Sequence, residues 1–301
     1  MNGQNTIQNL KNVMRAVIPP VLWGFAARSL RGSPVADPPQ MERIEMTLTS
    51  TQELFIRWNA RRLSITNEES HRRYIESWNS IEGGHRGEKF RAMDTAYSTV
   101  MSVYASDNPD EVFDAYRLIA PLTILRLASY SEKAWPENEP MVQDLASSTN
   151  ITILDFGCGL AQRSRALATR LKQAGHTVRL QLADIPTMKH DFLKFIARET
   201  AIDIDLLDCM EQAPIPELAP CHVCFAEEFL EHVHDPLQYI RAFDSALLPG
   251  GFLITNVADH EKEYMHVHHD LRDVREYLAA RQFRELRPFT LFQKIRKENR
   301  S

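Results

Sequence analysis

From Ile151 onward, short apolar runs alternate with stretches of helical character. The apolar runs predict strands at 151–156, 178–184, 202–207, 222–226, 252–256, 283–287 and 291–294. Helical stretches separate the first five of these strands. A chain that alternates strand and helix in this way folds as successive βαβ units around a parallel sheet. We therefore predict an α/β fold with helices on both faces of the sheet.

The sequence predicts both the start and the end of one helix in this region. Asp235 and Pro236 are the residue types that favour the N-cap and the first position of a helix. We expect this helix to end at Leu248. The Pro249-Gly250-Gly251 run that follows predicts a turn into the next strand.

The part of the chain before the alternating pattern has a different character. We divide the chain into a cationic amphipathic segment and linker (1–40), a helical accessory region (41–148) and the α/β domain (149–301). The first segment has apolar residues at helical spacing, and its basic side chains precede its first acidic residue, Asp37. Such a segment suits peripheral contact with a membrane through residues 7–31, or packing on its own domain or on a dimer partner. The helical accessory region is predicted to form a lid.

Composition limits the partners and the compartment. The chain carries a formal net charge of -5, whereas nucleic-acid binding usually requires a basic face, so a nucleic-acid partner is not favoured. All four cysteines lie in the second half: Cys158, Cys209, Cys221 and Cys224. We expect reduced thiols and a cytoplasmic protein, and we do not read the Cys221-x-x-Cys224 pair as a zinc or redox site, because a second cysteine pair is missing.

The first predicted strand runs directly into a glycine turn and then into a helix. Gly157 and Gly159 lack the Cβ atoms that would keep a ligand away from the backbone, and the helix that follows presents free amide groups. Nicotinamide and flavin proteins use a similar turn. Asp155 separates the two cases, because a carboxylate suits a ligand with an ammonium and a sulfonium and is poorly placed for a pyrophosphate.

The stretch Leu154 to Ala161 resembles motif I of the class I S-adenosylmethionine-dependent methyltransferases, with Ala161 in place of the usual third glycine. The resemblance extends from Ile151 to about Lys297, and the block from Phe225 to Pro236 resembles the family's segment after the fourth strand. It implies a Rossmann-like seven-stranded methyltransferase sheet that ends in an antiparallel hairpin.

The same resemblance implies S-adenosyl-L-methionine as the cofactor and assigns residues to it. Asp184 matches the position that holds the ribose hydroxyls. Asp208 matches the acidic position near the adenine amine, with Asp203 and Asp205 as competing choices. The cofactor-binding residues implied in this way are Asp155, Gly157, Cys158, Gly159, Asp184, Ile185, Asp208, Glu227 and Glu228.

Histidines are the candidate catalytic residues, because methylation of a hydroxyl needs a base that removes the acceptor's proton. His232 follows the fourth strand, and a cluster follows the fifth, at the edge of the sheet where ligands of open α/β folds bind. The candidate bases are His232, His260, His266 and His268. His269, Asp259 and Asp270 belong to the same cluster.

Glu228, Glu231 and His232 also resemble the metal-binding triplet of certain magnesium-dependent methyltransferases. Oxygen ligands with one imidazole would suit Mg or Mn. In metal-independent relatives the same string is structural, and both interpretations stay open.

We expect the acceptor to be a small molecule and the reaction to be O-methylation. The opening of the chain resembles the start of methyltransferases of bacterial cell-surface polysaccharide pathways, which implies a sugar or glycan precursor. Transfer or cyclisation of the aminocarboxypropyl arm is an alternative use of the same cofactor. A protein that binds the cofactor without turnover is another, and a nicotinamide-dependent oxidoreductase is a weaker one.

Overall fold

The structure is a computed structural model in which the chain divides into two compact units. The residues that it describes are 48–82, 113, 116, 117, 120, 123, 124, 127, 128, 140–259 and 270–295. The amphipathic segment 1–40 lies outside these residues, and so do His260, His266, His268 and His269. The membrane, dimer and lid hypotheses, and the domain boundaries at 40 and 148, therefore stay predictions.

Two helices of the first unit lie within the described range 48–82, α1 (Ser50–Leu63) and α2 (Asn67–Glu82). Helix α1 begins with a capping box, in which Thr49 Oγ1 accepts from Gln52 N at 3.1 Å and Gln52 Oε1 accepts from Thr49 N at 2.7 Å. Phe55 packs against the ring of Tyr74 at 5.8 Å between centroids, and the Gln52 amide donates to the Tyr74 hydroxyl at 2.7 Å. The predicted helical character of this region is confirmed for these two helices.

The second unit is built around a seven-stranded sheet. Within 140–259 and 270–295 its elements in chain order are α3 (Pro140–Leu145), β1 (Asn150–Phe156), α4 (Gln162–Gln173), β2 (Thr177–Asp184), α5 (Met188–Thr200), β3 (Asp203–Asp208), β4 (Cys221–Ala226), a 3₁₀ turn (Leu230–His232), α6 (Pro236–Ala246), β5 (Leu247–Thr255), α7 (Arg272–Ala280), β6 (Phe283–Arg287) and β7 (Leu291–Lys294).

The strand order is β3-β2-β1-β4-β5-β7-β6. Strands β1 to β5 are parallel, and β7 lies antiparallel between β5 and β6. This order confirms the predicted seven-stranded sheet with a terminal antiparallel hairpin. The carboxyl ends of β1, β2 and β4 therefore meet at one edge of the sheet.

Both faces of the sheet carry helices, as predicted. Leu154 and Phe156 of β1 belong to a buried cluster that includes Phe243 of α6 and Leu278 of α7. Alternate side chains of a strand face opposite ways, so Asp155 points to the other face, where its carboxylate meets α4. None of the helices in the described ranges combines the length and the apolar composition needed to cross a bilayer.

Helix α6 begins as the sequence predicts and ends earlier. Asp235 caps it by accepting from Gln238 N at 3.0 Å, and Pro236 is its first residue. The prediction that it continues to Leu248 is wrong, because the backbone is already extended at Leu247, where β5 begins. The Lys294 ammonium of β7 donates to the carbonyl oxygen of Leu247 at 2.9 Å, a long-range contact at this point of the chain.

The four cysteines are buried free thiols. Burial raises the pKa of Cys221 to about 12 and holds the pKa of Cys224 well above its usual value. Both side chains pack in one apolar cluster. A protonated thiol is neither a metal ligand nor a nucleophile, so these two cysteines act here as core residues.

Candidate functional site

The glycine turn lies at the carboxyl end of β1 and is tied to the end of β2. Gly157 and Gly159 have φ angles of +66° and +55°, values that favour glycine. Gly157 N donates to Ala183 O at 2.8 Å, and Cys158 N donates to the same oxygen at 3.3 Å. The conformation that the sequence motif predicts is therefore held in place by the neighbouring strand.

The space beside Gly157 is filled by the protein itself. A Cβ atom at this residue would lie 2.5 Å from Phe229 Cδ2. The Phe229 ring packs against Phe156 and Tyr239, each at 5.0 Å between centroids. The missing side chain at Gly157 thus makes room for Phe229, and not for a ligand as the sequence argument assumed.

Ala161 adopts a left-handed conformation, with φ +54°, where the resembled motif carries a glycine. A non-glycine residue in this region costs about 1–2 kcal/mol. Its methyl group is buried, which offsets part of that cost. Ala161 is also the N-cap of α4, and no side chain caps the helix at this point.

Asp155 lies behind the turn and is bonded to α4. Ser164 Oγ donates to Asp155 Oδ2, which links the end of β1 to the first turn of the helix. Burial raises the pKa of Asp155 to about 7, and the negative charges of Glu227 and Asp184 act in the same direction. The carboxyl is therefore close to half protonated at neutral pH in the free protein.

Asp184 is the residue that joins the two strand ends at the turn. Its Oδ2 accepts from Gly159 N and from Lys189 Nζ, both at 2.8 Å, and its Oδ1 accepts from Ile185 N at 2.7 Å. Since each carboxylate oxygen has two acceptor sites, Oδ1 keeps one for a further donor. The predicted bidentate hold on two ribose hydroxyls is thus limited by the contacts that Asp184 already makes.

Lys189 was not among the site residues predicted from the sequence. The sequence does indicate that Lys189 needs an acidic partner, because a lysine at the second position of a helix is unfavourable beside the positive end of the helix dipole. Thr187 caps this helix, α5, and Lys189 reaches back to Asp184.

Asp208 lies opposite Asp184 in the pairing of β2 with β3, so both carboxylates are at the same edge. Asp208 Oδ1 is 3.1 Å from His190 Nδ1. His190 is buried, and burial lowers its pKa. Asp208 itself is mostly exposed and open to a ligand.

Glu227 and Glu228 follow β4 and differ in surroundings. Glu227 accepts a hydrogen bond from the Arg163 guanidinium of α4, and burial raises the pKa of Glu227. Glu228 is exposed and has a φ angle of +49°. A non-glycine residue with a left-handed backbone is strained, and such residues are common beside ligand sites.

The metal hypothesis for Glu228, Glu231 and His232 is not supported. Glu231 has no exposed surface, whereas Glu228 faces solvent, so the two carboxylates do not converge. His232 Nε2 is 3.9 Å from Glu231 Oε1. In the part of the chain that the structure describes, no group of three histidine, cysteine or acidic residues could hold a metal ion.

His232 is the one candidate base that the structure describes. It ends the 3₁₀ turn after β4, at the carboxyl edge of the sheet. Asp259 and Asp270 flank the segment that carries the other histidines. Asp259 pairs with Arg275 of α7 at 2.7 Å, and Asp270 accepts from Arg272 N at 2.9 Å, so both hold the start of that helix.

The chain is similar to several solved structures at low sequence identity. A Listeria monocytogenes protein named as a class I S-adenosylmethionine-dependent methyltransferase shares 15% identity over 82% of this chain and 88% of its own, with a TM-score of 0.43. The second unit itself is a Rossmann-like α/β sheet of seven strands. The [4+2]-cyclase SpnF is 19% identical over 60% of this chain and 74% of its own, with a TM-score of 0.42.

A methyltransferase of Aquifex aeolicus is 15% identical over 57% of this chain and 95% of its own, with a TM-score of 0.40. No protein-family model matches the sequence, and no curated protein matches it. Similarity at this level of identity concerns the fold alone, and one of the three proteins is named for a different reaction.

Proposed function

We propose that this protein is an S-adenosylmethionine-dependent methyltransferase that acts on a small-molecule acceptor. The observation that supports the proposal is the turn from Gly157 to Ala161. Asp184 holds this turn by a hydrogen bond from Gly159 N, where the carboxyl ends of β1 and β2 lie side by side. Asp155, Asp184 and Glu227 surround this turn, against the cations of Arg163 and Lys189. The excess of carboxylates suits a ligand that carries a sulfonium and an ammonium.

The topology argues against the nicotinamide alternative. Dinucleotide-binding sheets of this class place six parallel strands in the order 3-2-1-4-5-6. Here the antiparallel strand β7 is inserted between β5 and β6. A pyrophosphate at the turn would also face Asp184, a negative charge where a phosphate needs amide groups alone.

S-adenosylmethionine supplies an activated methyl group when it is bound, and the protein's task is to align the acceptor and remove its proton. We propose O-methylation, with a sugar or glycan precursor as the acceptor. His232 lies at the correct edge of the sheet to act as the base. His260, His266 and His268 share this proposal because they follow β5 in sequence.

Calorimetry with S-adenosylmethionine, S-adenosylhomocysteine and NAD tests the cofactor assignment. We expect the first two to bind and NAD not to bind. Asp184→Asn should weaken S-adenosylhomocysteine binding by about 10- to 100-fold, because it removes a charged acceptor and leaves Lys189 without its counter-charge. Glu276→Gln is the control: Glu276 is an exposed acidic residue of α7, a helix that packs against α6 and β6, and its replacement should not affect binding.

Binding of NAD in place of the two sulfur compounds would overturn the assignment. The product released during turnover then distinguishes methyl transfer from the other possible uses of the cofactor. Release of S-adenosylhomocysteine would support methyl transfer, whereas release of methylthioadenosine would indicate transfer of the aminocarboxypropyl arm. Binding without either product would indicate a protein that only binds the cofactor.

The raised pKa of Asp155 predicts proton release on cofactor binding. In the free protein this pKa is about 7. A bound cation favours the carboxylate, so the pKa falls and affinity should rise as the pH is raised from 6 to 7. This range lies below the titration of the ligand's own α-amino group at about 7.7–8.0.

Calorimetry in buffers of different ionisation enthalpy measures the released proton. Asp155→Asn should remove the proton release that comes from Asp155 and leave any proton release that comes from a histidine. Equal proton release from the wild type and this variant would contradict the prediction.

A further inference from the structure

The turn of the β6–β7 hairpin lies at the carboxyl edge of the sheet, beside the end of β5. Thr255 N donates to Thr290 O at 3.1 Å, and Val257 N donates to Phe289 O at 3.0 Å. Strand β5 runs parallel to β4, and Thr255 lies opposite Ala226 at the end of β4. The hairpin turn is therefore level with the end of β4 and about 10 Å from it, since two strand spacings separate β7 from β4.

Phe289 in this turn combines two features that do not favour folding. Its φ angle is +59°, in the left-handed region that a bulky side chain rarely adopts. Its side chain is also 46% exposed, so much of the ring faces water. Hairpin turns usually carry glycine or asparagine at a left-handed position. A bulky residue that is held in such a conformation points to a role in binding, because strained residues cluster at ligand sites.

The backbone around Phe289 is fixed by hydrogen bonds on both sides. Phe289 N donates to Glu285 Oε1 at 2.6 Å, and Phe289 O accepts from Val257 N. Thr290 N donates to Arg287 O at 3.1 Å, which closes the turn. The ring is therefore presented from a backbone that has no freedom left to lose when a ligand binds, and this lowers the entropic cost of binding.

Charged groups lie near this ring. Each carboxylate oxygen has two acceptor sites, so Glu285 keeps sites for a hydroxyl donor beyond its bond with Phe289 N. Burial raises the pKa of Glu227, and the positive charge of Arg287 opposes that rise, so Arg287 lies within electrostatic reach of the end of β4. A sugar has an apolar face of C–H groups and a rim of hydroxyls. An exposed aromatic ring with hydroxyl-binding groups beside it suits such a ligand.

We propose that Phe289 binds the acceptor by stacking against the apolar face of a sugar ring. The inference rests on the proposed function, because it names the part of the acceptor that this residue recognises. A sugar that stacks on Phe289 extends along the carboxyl edge toward the end of β4, where ligands of open α/β sheets bind. Phe289 thus selects the acceptor and takes no part in the proton transfer.

Ligand-observed NMR on the protein saturated with S-adenosylhomocysteine tests the proposal. The probe is methyl β-D-galactopyranoside, whose ring has an apolar face, and galactitol is its open-chain counterpart without a ring. We expect the pyranoside to bind, with a dissociation constant that Phe289→Gly raises about 3- to 10-fold. Phe289→Tyr should keep the wild-type affinity, because it keeps the face of the ring. Galactitol should bind to none of these proteins.

Thermal unfolding separates recognition from folding. Glycine relieves the left-handed backbone at residue 289, so Phe289→Gly should unfold at or above the wild-type temperature although it loses the sugar. Gln282→Gly is the matched control. Gln282 also has a left-handed backbone, with φ +61°, and it lies at the opposite end of β6 from the hairpin turn. This variant should keep the wild-type affinity for the pyranoside.

Wild-type affinity in Phe289→Gly, or no binding of the pyranoside by the wild type, would overturn this inference and leave the proposed function standing. An equal loss of affinity in Gln282→Gly would overturn it in the same way, because the loss would then come from the altered hairpin. If the wild-type protein does not bind S-adenosylhomocysteine, the proposed function fails and this inference fails with it.

Discussion

Replacing Gly157 by alanine is expected to lower the free energy of unfolding by about 2–4 kcal/mol, because two penalties add. The left-handed backbone at φ +66° costs a residue with a Cβ about 1 kcal/mol. The new Cβ would also lie 2.5 Å from Phe229 Cδ2, and overpacking of this kind costs about 1–3 kcal/mol. Urea denaturation measures the change.

Gly175→Ala is the matched control. Gly175 has φ +94°, and nothing lies within 4 Å of its Cβ position. It should therefore show the backbone penalty alone, about 1 kcal/mol. Equal losses for the two variants would contradict the contact with Phe229.

Phe229→Ala in the Gly157→Ala background offers a second check. With the ring removed, the alanine at 157 has room, so the double variant should lose less stability than the two single variants added together. Strict additivity would mean that Phe229 does not restrict the turn.

Replacing Asp244 by alanine is expected to lower the free energy of unfolding by about 2–4 kcal/mol. This buried carboxylate accepts from Tyr277 Oη at 2.9 Å and Arg281 Nε at 2.8 Å, and it pairs with Lys294 Nζ at 3.0 Å. It thus ties α6 to α7 and β7. Arg281 is more than half exposed and regains water in the variant, which keeps the loss below that of a fully buried pair.

The pH dependence of stability gives an independent measurement. Burial alone would raise the pKa of Asp244, but the hydrogen bonds from Lys294, Arg281 and Tyr277 outweigh it, and the pKa is lowered. Its stabilisation is therefore complete above the unfolded-state pKa of about 3.9 and is lost as the pH falls through the folded-state value. The wild-type and variant curves should converge in acid.

Asp205→Ala, which breaks an exposed pair with Arg179, should cost at most about 1 kcal/mol. If Asp244→Ala lowered the free energy of unfolding by no more than this, the conclusion that Asp244 links α6 to α7 and β7 would be wrong.

Most strands of this protein could be predicted closely because their signal is local, but β5, expected at 252–256, begins at Leu247 and includes the run 249–251 that was predicted as a turn. The first strand was expected at 151–156 and spans Asn150–Phe156, and β6 and β7 match their expected bounds. Two predictions were not supported. Helix α6 stops short of Leu248, where Lys294 contacts Leu247, and Glu228 faces solvent while Glu231 is buried, although these residues resembled part of a metal-binding triplet.

The sequence by itself determined the order of strands and helices, the glycine turn and the carboxylates at the strand ends. These features follow from periodicity and from the backbone freedom of single residues. Only the tertiary structure decided the partner of each carboxylate, as in Gly159 with Asp184, 25 residues apart, and Arg163 with Glu227, 64 residues apart. It also decided that Phe229 fills the space at Gly157. Such contacts depend on side-chain directions after the sheet has formed, which local spacing does not specify.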